Sequence, residues 1–211
     1  MPSGEQMQAD FERALRTMDE FAAGEAPVQK AARKIARALE ELGVPYAVAG
    51  GLAVAANGLE RQTVGVDLIL TKEGLAAFKE RWLGPGWVER FQGSKGLRDT
   101  EHDLKIDVLT TDEKPGDGKS CPFNFPDPET AGKQFKGIWS GMRMLDLRTL
   151  IELKLASWMT SPHRPRDMDD VIRLIQIHGL PPAYSAELHE YVREEFDRLW
   201  ALAQVKDRHE E

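Results

Sequence analysis

Two aspartates each interrupt a largely apolar run: Asp67 in Val64-Gly65-Val66-Asp67-Leu68 and Asp107 in Leu104-Lys105-Ile106-Asp107-Val108. A third apolar run, Tyr46-Ala47-Val48-Ala49, ends in the pair Gly50-Gly51. Carboxylate oxygens are the hard ligands magnesium prefers, usually one or two of them with phosphate oxygens and water. Two such ions can hold both the attacking and the leaving oxygen of a phosphoryl transfer. A glycine pair between strand and helix lets backbone approach a phosphate closely, beside the free N–H groups of the helix start. Each signal has a plain alternative: the glycines form no more than a tight turn, and the aspartates are solvated groups on a half-exposed sheet. Together they describe a place for a nucleoside triphosphate (NTP) and its magnesium or manganese ion.

The elements that must position these groups follow from periodicity. Alternation assigns Thr63 to Leu70 to a strand, with Val64, Val66, Leu68 and Leu70 facing a core and Thr63, Gly65, Asp67 and Ile69 facing the other way. Leu104 to Thr110 alternates likewise, with Leu104, Ile106 and Val108 inward and Lys105 and Asp107 outward. If these strands are neighbours, the two carboxylates converge. Tyr46 to Ala49 reads as a short buried strand, and Leu52 to Ala56 as a short helix behind the glycines. Val28, Ala31, Ala32, Ile35, Leu39 and Leu42 recur at helical spacing, and Gly43 ends that helix. A helix over Glu73 to Trp82 and strands over Trp87 to Phe91 and Lys95 to Arg98 follow.

Residues 111 to 133 are rich in Gly, Pro, Asp and Lys, a composition shared by binding loops and by excursions without a role. The last third is helical: Asp146 can cap a helix running to Met159, Pro165 suits the first turn of the next, and an amphipathic helix spans about Ser185 to Gln204. The reading is an α+β fold, a mixed sheet flanked by helices. A helical arm takes residues 1–26, an αβ core 27–145 and a C-terminal helical cap 146–211.

Composition narrows the function classes. The chain has 211 residues, 41% of them apolar, enough to build a core. A net charge of −7 argues against a strongly basic nucleic-acid surface, though it leaves local basic patches open. The one cysteine, Cys121, forms no internal disulfide and reads as a plain loop thiol, which suits a reducing cytoplasm. No apolar run approaches the ~20 residues of a membrane span, and Met1-Pro2-Ser3-Gly4-Glu5 lacks the basic and apolar regions of a signal peptide. The expectation is a cytoplasmic protein with no membrane partner.

Gly50-Gly51, then Arg61-Gln62-Thr63-Val64-Gly65-Val66-Asp67-Leu68, then Lys105-Ile106-Asp107-Val108 resembles the polymerase-beta-type nucleotidyltransferase superfamily. Within it, the chain is most similar to the minimal and abortive-infection (AbiEii-like) toxin branch. The family pattern is Gly-Gly, then Arg-x-Thr-x-Asp-hydrophobic-Asp, then a third Asp on a later strand; the likeness covers roughly Tyr46 to Asp170. It implies a nucleotidyltransferase-like fold and transfer of a nucleoside monophosphate from an NTP to a hydroxyl on RNA, protein or a small molecule. Gly50 and Gly51 would cradle the phosphates, Asp67 and Asp107 would bind metal, and Asp107 would help to deprotonate the acceptor. Arg61 and Thr63 match the lead-in to the pair, and Arg61 suits a structural salt bridge as well as a phosphate contact. A toxin-type relative would also have a cognate partner protein.

A second feature lies in the helical third. Leu147, Leu150, Ile151, Leu155 and Trp158 form an inward stripe that includes Lys154. A buried ammonium needs an anion, and Asp167 and Asp170, one helical turn apart, can supply it. Toxin-type relatives show a similar lysine helix followed by Arg-Asp-x-x-Asp, which implies that Lys154 contacts nucleotide; a purely structural Lys154–Asp170 bridge is the alternative.

Gly65 departs from the pattern, because it stands where the first paired carboxylate belongs. Asn57 also departs, since relatives often carry His before the glycine that here is Gly58. Losing even an outer-shell partner at a metal site costs ~10–100-fold, and an inner ligand at least that. Asp103 or Glu101 could take the vacant role if the later strand begins early. Two readings follow: an active nucleotidyltransferase, or a catalytically impaired pseudoenzyme that binds nucleotide or a partner.

Overall fold

The computed structural model describes residues 4–161 and 163–205. The elements are α1 (Gly4–Ala22), α2 (Pro27–Glu41), β1 (Ala47–Ala49), α3 (Gly50–Ala56), β2 (Gly65–Leu70), α4 (Lys72–Trp82), β3 (Trp87–Glu89), β4 (Leu97–Asp99) and β5 (Leu104–Thr110). They continue with α5 (Pro128–Ala131), β6 (Gly132–Gln134), β7 (Arg143–Leu145), α6 (Leu147–Thr160), α7 (Pro165–His178) and α8 (Glu190–Ala203). All seven strands join one mixed sheet in the order β3-β4-β5-β2-β1-β7-β6. β2 runs parallel to β5 and β1 to β7, while the other neighbours are antiparallel. This is the expected α+β class: a mixed sheet flanked by helices, with helices closing the chain.

Local signals explain the helix ends. Pro27 opens α2, and Gln29 closes its start by accepting from Ala26 N (3.1 Å) and donating to the Phe21 carbonyl (3.0 Å). Thr71 Oγ1 caps α4 through Gly74 N (2.9 Å), and Asp146 caps α6 through Thr149 N (2.8 Å). Each such cap satisfies a backbone donor that the helix leaves free. Pro165 begins α7, and Gly179 ends it in the left-handed conformation (φ +56°).

The sheet is covered on both faces. On one, Val48, Val66, Leu68, Leu70, Ile106 and Val108 pack against Ile35 and Leu39 of α2 and Phe78 of α4. On the other, Ala47, Ile69 and Leu145 pack under Ile151, Leu155, Val171, Leu174, Phe196 and Leu199 from α6, α7 and α8. Two expectations fail here. Val64 is 87% exposed, because β2 starts at Gly65 and Val64 lies in the irregular lead-in. Ile69, expected on the polar face, is fully buried, because the C-terminal helices cover that end of it. Burying such a side chain is worth about 1.5–3 kcal/mol, so the outward half of an alternating strand can serve as a second core.

Smaller corrections follow from packing. β3 stops at Glu89, so Arg90 and Phe91 lie in the turn rather than the strand. The last helix begins at Glu190, after a 3-10 turn over Pro182–Glu187. Cys121 lies in a loop as expected, and its side chain is fully buried in the second core. No described helix is long and apolar enough to cross a membrane.

Candidate active site

Asp67 and Asp107 are directly opposed across the parallel β2–β5 pair, and Gly65 faces Lys105 two positions earlier. On the other side of β2, Ala49 at the end of β1 is opposite Asp67, so the chain enters Gly50 beside that carboxylate. Gly50 has φ +57°, and a Cβ there would sit 1.9 Å from Asp67 Oδ2. No side chain fits on either count. A Cβ on Gly51 would sit 2.6 Å from Thr63 Oγ1, so the second glycine is required by close packing against Thr63.

These groups border a cavity of about 650 Å³, within the usual size of a small-molecule site. Asp67 and Asp107 lie on the sheet side, with Gly50, Gly51, Arg61 and Thr63 beside them. Arg90, Phe91 and Lys95 reach in from the β3–β4 turn. Pro115, Gly116 and Phe125 come from the loop before α5, and Lys154, Arg164 and Asp167 come from the helical cap. All six residues expected to carry chemistry or bind nucleotide beside the carboxylate Asp67 (Gly50, Gly51, Arg61, Thr63, Asp107 and Lys154) therefore line the same cavity as Asp67.

Almost every charge around the cavity is already paired. Lys154 Nζ lies 2.9 Å from Asp167 Oδ1 and 2.6 Å from Asp170 Oδ2. Ser157 Oγ donates to Asp167 Oδ2 (2.8 Å), and Arg164 Nε is 3.1 Å from the same oxygen. Arg61 Nη2 is 3.5 Å from Asp170 Oδ2, and its buried Nε has no acceptor. Lys95 pairs with Glu113, and Arg90 Nη1 with Asp107 Oδ1 (2.5 Å).

Asp67 is the exception: no described residue forms a hydrogen bond or salt bridge with its carboxylate. Burial pushes its pKa up, the neighbouring Asp107 pushes it further, and Lys154 and Arg164 offset only part of this. At Asp167 burial also pushes upward, but Lys154, Ser157 and Arg164 outweigh it and hold the carboxyl below its usual range.

The donor set fits a divalent cation. Asp67 offers oxygens with no protein partner, next to a second carboxylate, and the bare Gly50 lets that carboxylate lie against the start of α3. Gly65 leaves its own place open: the nearest atom to a Cβ there is the Lys105 carbonyl oxygen at 3.5 Å. The proposed substitutes do not fill it. Asp103 sits outside β5 at φ +55°, paired with Arg98, and Glu101 pairs with Lys34 (3.0 Å). Neither lines the cavity.

Asp99, Glu101 and His102 form a separate group with ligand-like spacing. Lys34 occupies it already, 2.5 Å from Asp99 Oδ1, and His102 Nδ1 is 2.5 Å from Asp99 Oδ2. Asn57 closes α3, donating to the Ala53 and Leu145 carbonyls (2.8 and 3.1 Å), while its own carbonyl meets His178 Nε2 (2.7 Å).

Sequence reasoning missed Arg90, Phe91 and Lys95. Strand assignments over Trp87 to Phe91 and Lys95 to Arg98 hid the turn that aims them, since β3 stops at Glu89 and β4 starts at Leu97, and no local signal distinguishes a turn arginine that reaches a distant strand. Of the 111–133 loop, whose composition suits either of two roles, Pro115, Gly116 and Phe125 lie against the cavity.

No family model matches this sequence, and no curated protein matches it. Among solved structures, it is similar to ANT(2")-Ia in complex with adenylyl-2"-tobramycin, at 15% identity and a TM-score of 0.49 over 81% of this chain and 93% of that one. It is also similar to JHP933 from Helicobacter pylori, at 14% identity and a TM-score of 0.44 over 92% and 91% of the two chains. A third, an H. pylori protein described as a candidate nucleotidyltransferase, gives 15%, 0.44, 92% and 94%. At this level likeness decides nothing about function; the chemistry has to come from the site's own geometry.

Proposed function

We propose that the cavity binds an NTP with a divalent cation and transfers the nucleoside monophosphate to a hydroxyl acceptor. The observation that carries this reading is the opposed pair Asp67–Asp107, with Asp67 the unpaired charge in an otherwise ion-paired cavity. Such a carboxylate is completed by a cation. A triphosphate alone would add negative charge to a site whose positive groups are already engaged, so nucleotide and metal should enter together.

Asp67 and Asp107 would hold magnesium or manganese, which when bound neutralises charge on the phosphates. Gly50 and Gly51 would permit close approach of the triphosphate, and Arg61, with its unpartnered Nε, Thr63 and Lys154 would bind it. The acceptor oxygen would attack the α-phosphorus, the bond to pyrophosphate would break, and Asp107, half exposed at the cavity, would take the hydroxyl proton. Positioning and charge neutralisation carry most of such a transfer. The acceptor class (RNA, protein or small molecule) and a toxin-type cognate partner follow from the sequence resemblance alone.

A second reading has its own support. The open place at Gly65 lacks a carboxylate and no described residue supplies one, which favours a catalytically impaired nucleotide- or partner-binding protein. Labelled NTPs incubated with wild type and with Gly65→Asp decide between the two. Transfer by wild type supports the enzyme; transfer by Gly65→Asp only supports the pseudoenzyme. Metal-dependent NTP binding that survives unchanged in both Asp67→Ala and Asp107→Ala would remove the site altogether.

A further inference from the structure

Two features lie along the β2–β5 pair: Gly65, which has open space two positions before Asp67, and an arginine paired with Asp107. Arg90 Nη1 lies 2.5 Å from Asp107 Oδ1. Its position is built by the β3–β4 turn. Arg90 N donates to the Gly96 carbonyl (3.1 Å), and a Cβ on Gly96 would sit 2.8 Å from Arg90 Cδ and 3.4 Å from Nη1. The arginine stem therefore lies across the bare face of Gly96. Leu97 pairs with Ile106, which brings Gly96 alongside Asp107.

Resting on the nucleotide-site reading, we propose that Arg90 does the work of a second divalent cation, so that this chain uses one metal ion per nucleotide. Charge arithmetic favours it. Asp67 and Asp107 carry two negative charges and Arg90 already offsets one, so one divalent ion held with the triphosphate compensates the remainder. A second ion would find no third carboxylate and would meet a guanidinium that never deprotonates. Arg90 instead brings a fixed positive charge to Asp107, where the acceptor would lose its proton.

The test is manganese titration followed by electron paramagnetic resonance, with non-hydrolysable α,β-methylene nucleoside triphosphates. Wild type and Arg90→Lys should each bind one magnetically isolated Mn²⁺ per chain. Gly65→Asp combined with Arg90→Ala should bind two, with the coupled spectrum of a close pair, a doubling of stoichiometry. Both changes are suited to folding: Gly65 has room for a side chain and Arg90 is on the surface. Unchanged thermal melts would confirm it. A coupled pair on wild type, or a single ion on the double variant, overturns the proposal while leaving the nucleotide site standing. Absence of Mn²⁺–nucleotide binding in every variant removes the nucleotide site and this proposal with it.

Discussion

The cavity's two sides answer the same electrostatic problem in opposite ways. On the helical side, Lys154, Asp167, Asp170, Ser157 and Arg164 satisfy one another within α6 and α7. On the sheet side, Asp67 sits beside a second carboxylate with no partner of its own. Buried charge is tolerated only when compensated. The helical side is compensated by the chain itself and so holds the cap in place, whereas the sheet side is left for something from outside. The difference separates charges that the fold already compensates, including the Lys154 assigned to the triphosphate, from a carboxylate kept ready for a cation.

Removing the cation from the compensated side should have the largest effect. Lys154→Ala leaves two aspartates facing each other in the core, and breaking a buried pair costs roughly 3–5 kcal/mol; urea unfolding should show that loss. On the sheet side the same kind of truncation should act on binding alone. Asp67→Ala should weaken metal-dependent NTP binding at least about 100-fold by calorimetry while leaving the unfolding midpoint unchanged or higher. A fall in stability comparable to that of Lys154→Ala would erase the contrast between the two sides. Gly65→Asp should sharpen it in the other direction, raising Mn²⁺ affinity by about tenfold, the lower range for a gained metal-site partner.

The smallest effect is in the pH dependence, where the two sides should titrate with opposite signs. Asp167 is held below its ordinary value of 3.8. Its contribution is therefore present above that pH and lost as pH falls through the depressed folded value. Asp67 is held above 3.8, so its protonated form favours the fold. That contribution is complete below 3.8 and lost as pH rises through the raised value. Metal-free melting curves across pH should show Asp67→Asn more stable than wild type at neutral pH with no advantage in acid, and Asp167→Asn the reverse. Parallel shifts in both variants would contradict the distinction.

Much of the frame was legible because it depends on local patterns. The alternation around Asp67 and Asp107 placed each on the polar face of a strand, and Asp146 and Pro165 marked helix starts that the structure keeps. The apolar stripe containing Lys154 required an anion, and Asp167 and Asp170 supply it. Where pattern failed, a long-range contact had changed the meaning of a local signal. Ile69 looked solvent-facing until the C-terminal helices covered it, and Asp103 and Glu101 looked like spare ligands until Arg98 and Lys34 engaged them.

By itself, then, the sequence determined which residue types could do chemistry and which face of each element they occupy, since side-chain direction within a strand or helix is set by backbone geometry over a few residues. Only the tertiary structure decided that β2 and β5 are neighbours in the register that opposes Asp67 and Asp107, and that Arg90 reaches across from a turn to take one of them. Register and reach depend on packing between segments far apart in the chain. One residue of slip would turn every side chain to the other face, and no local pattern carries that information.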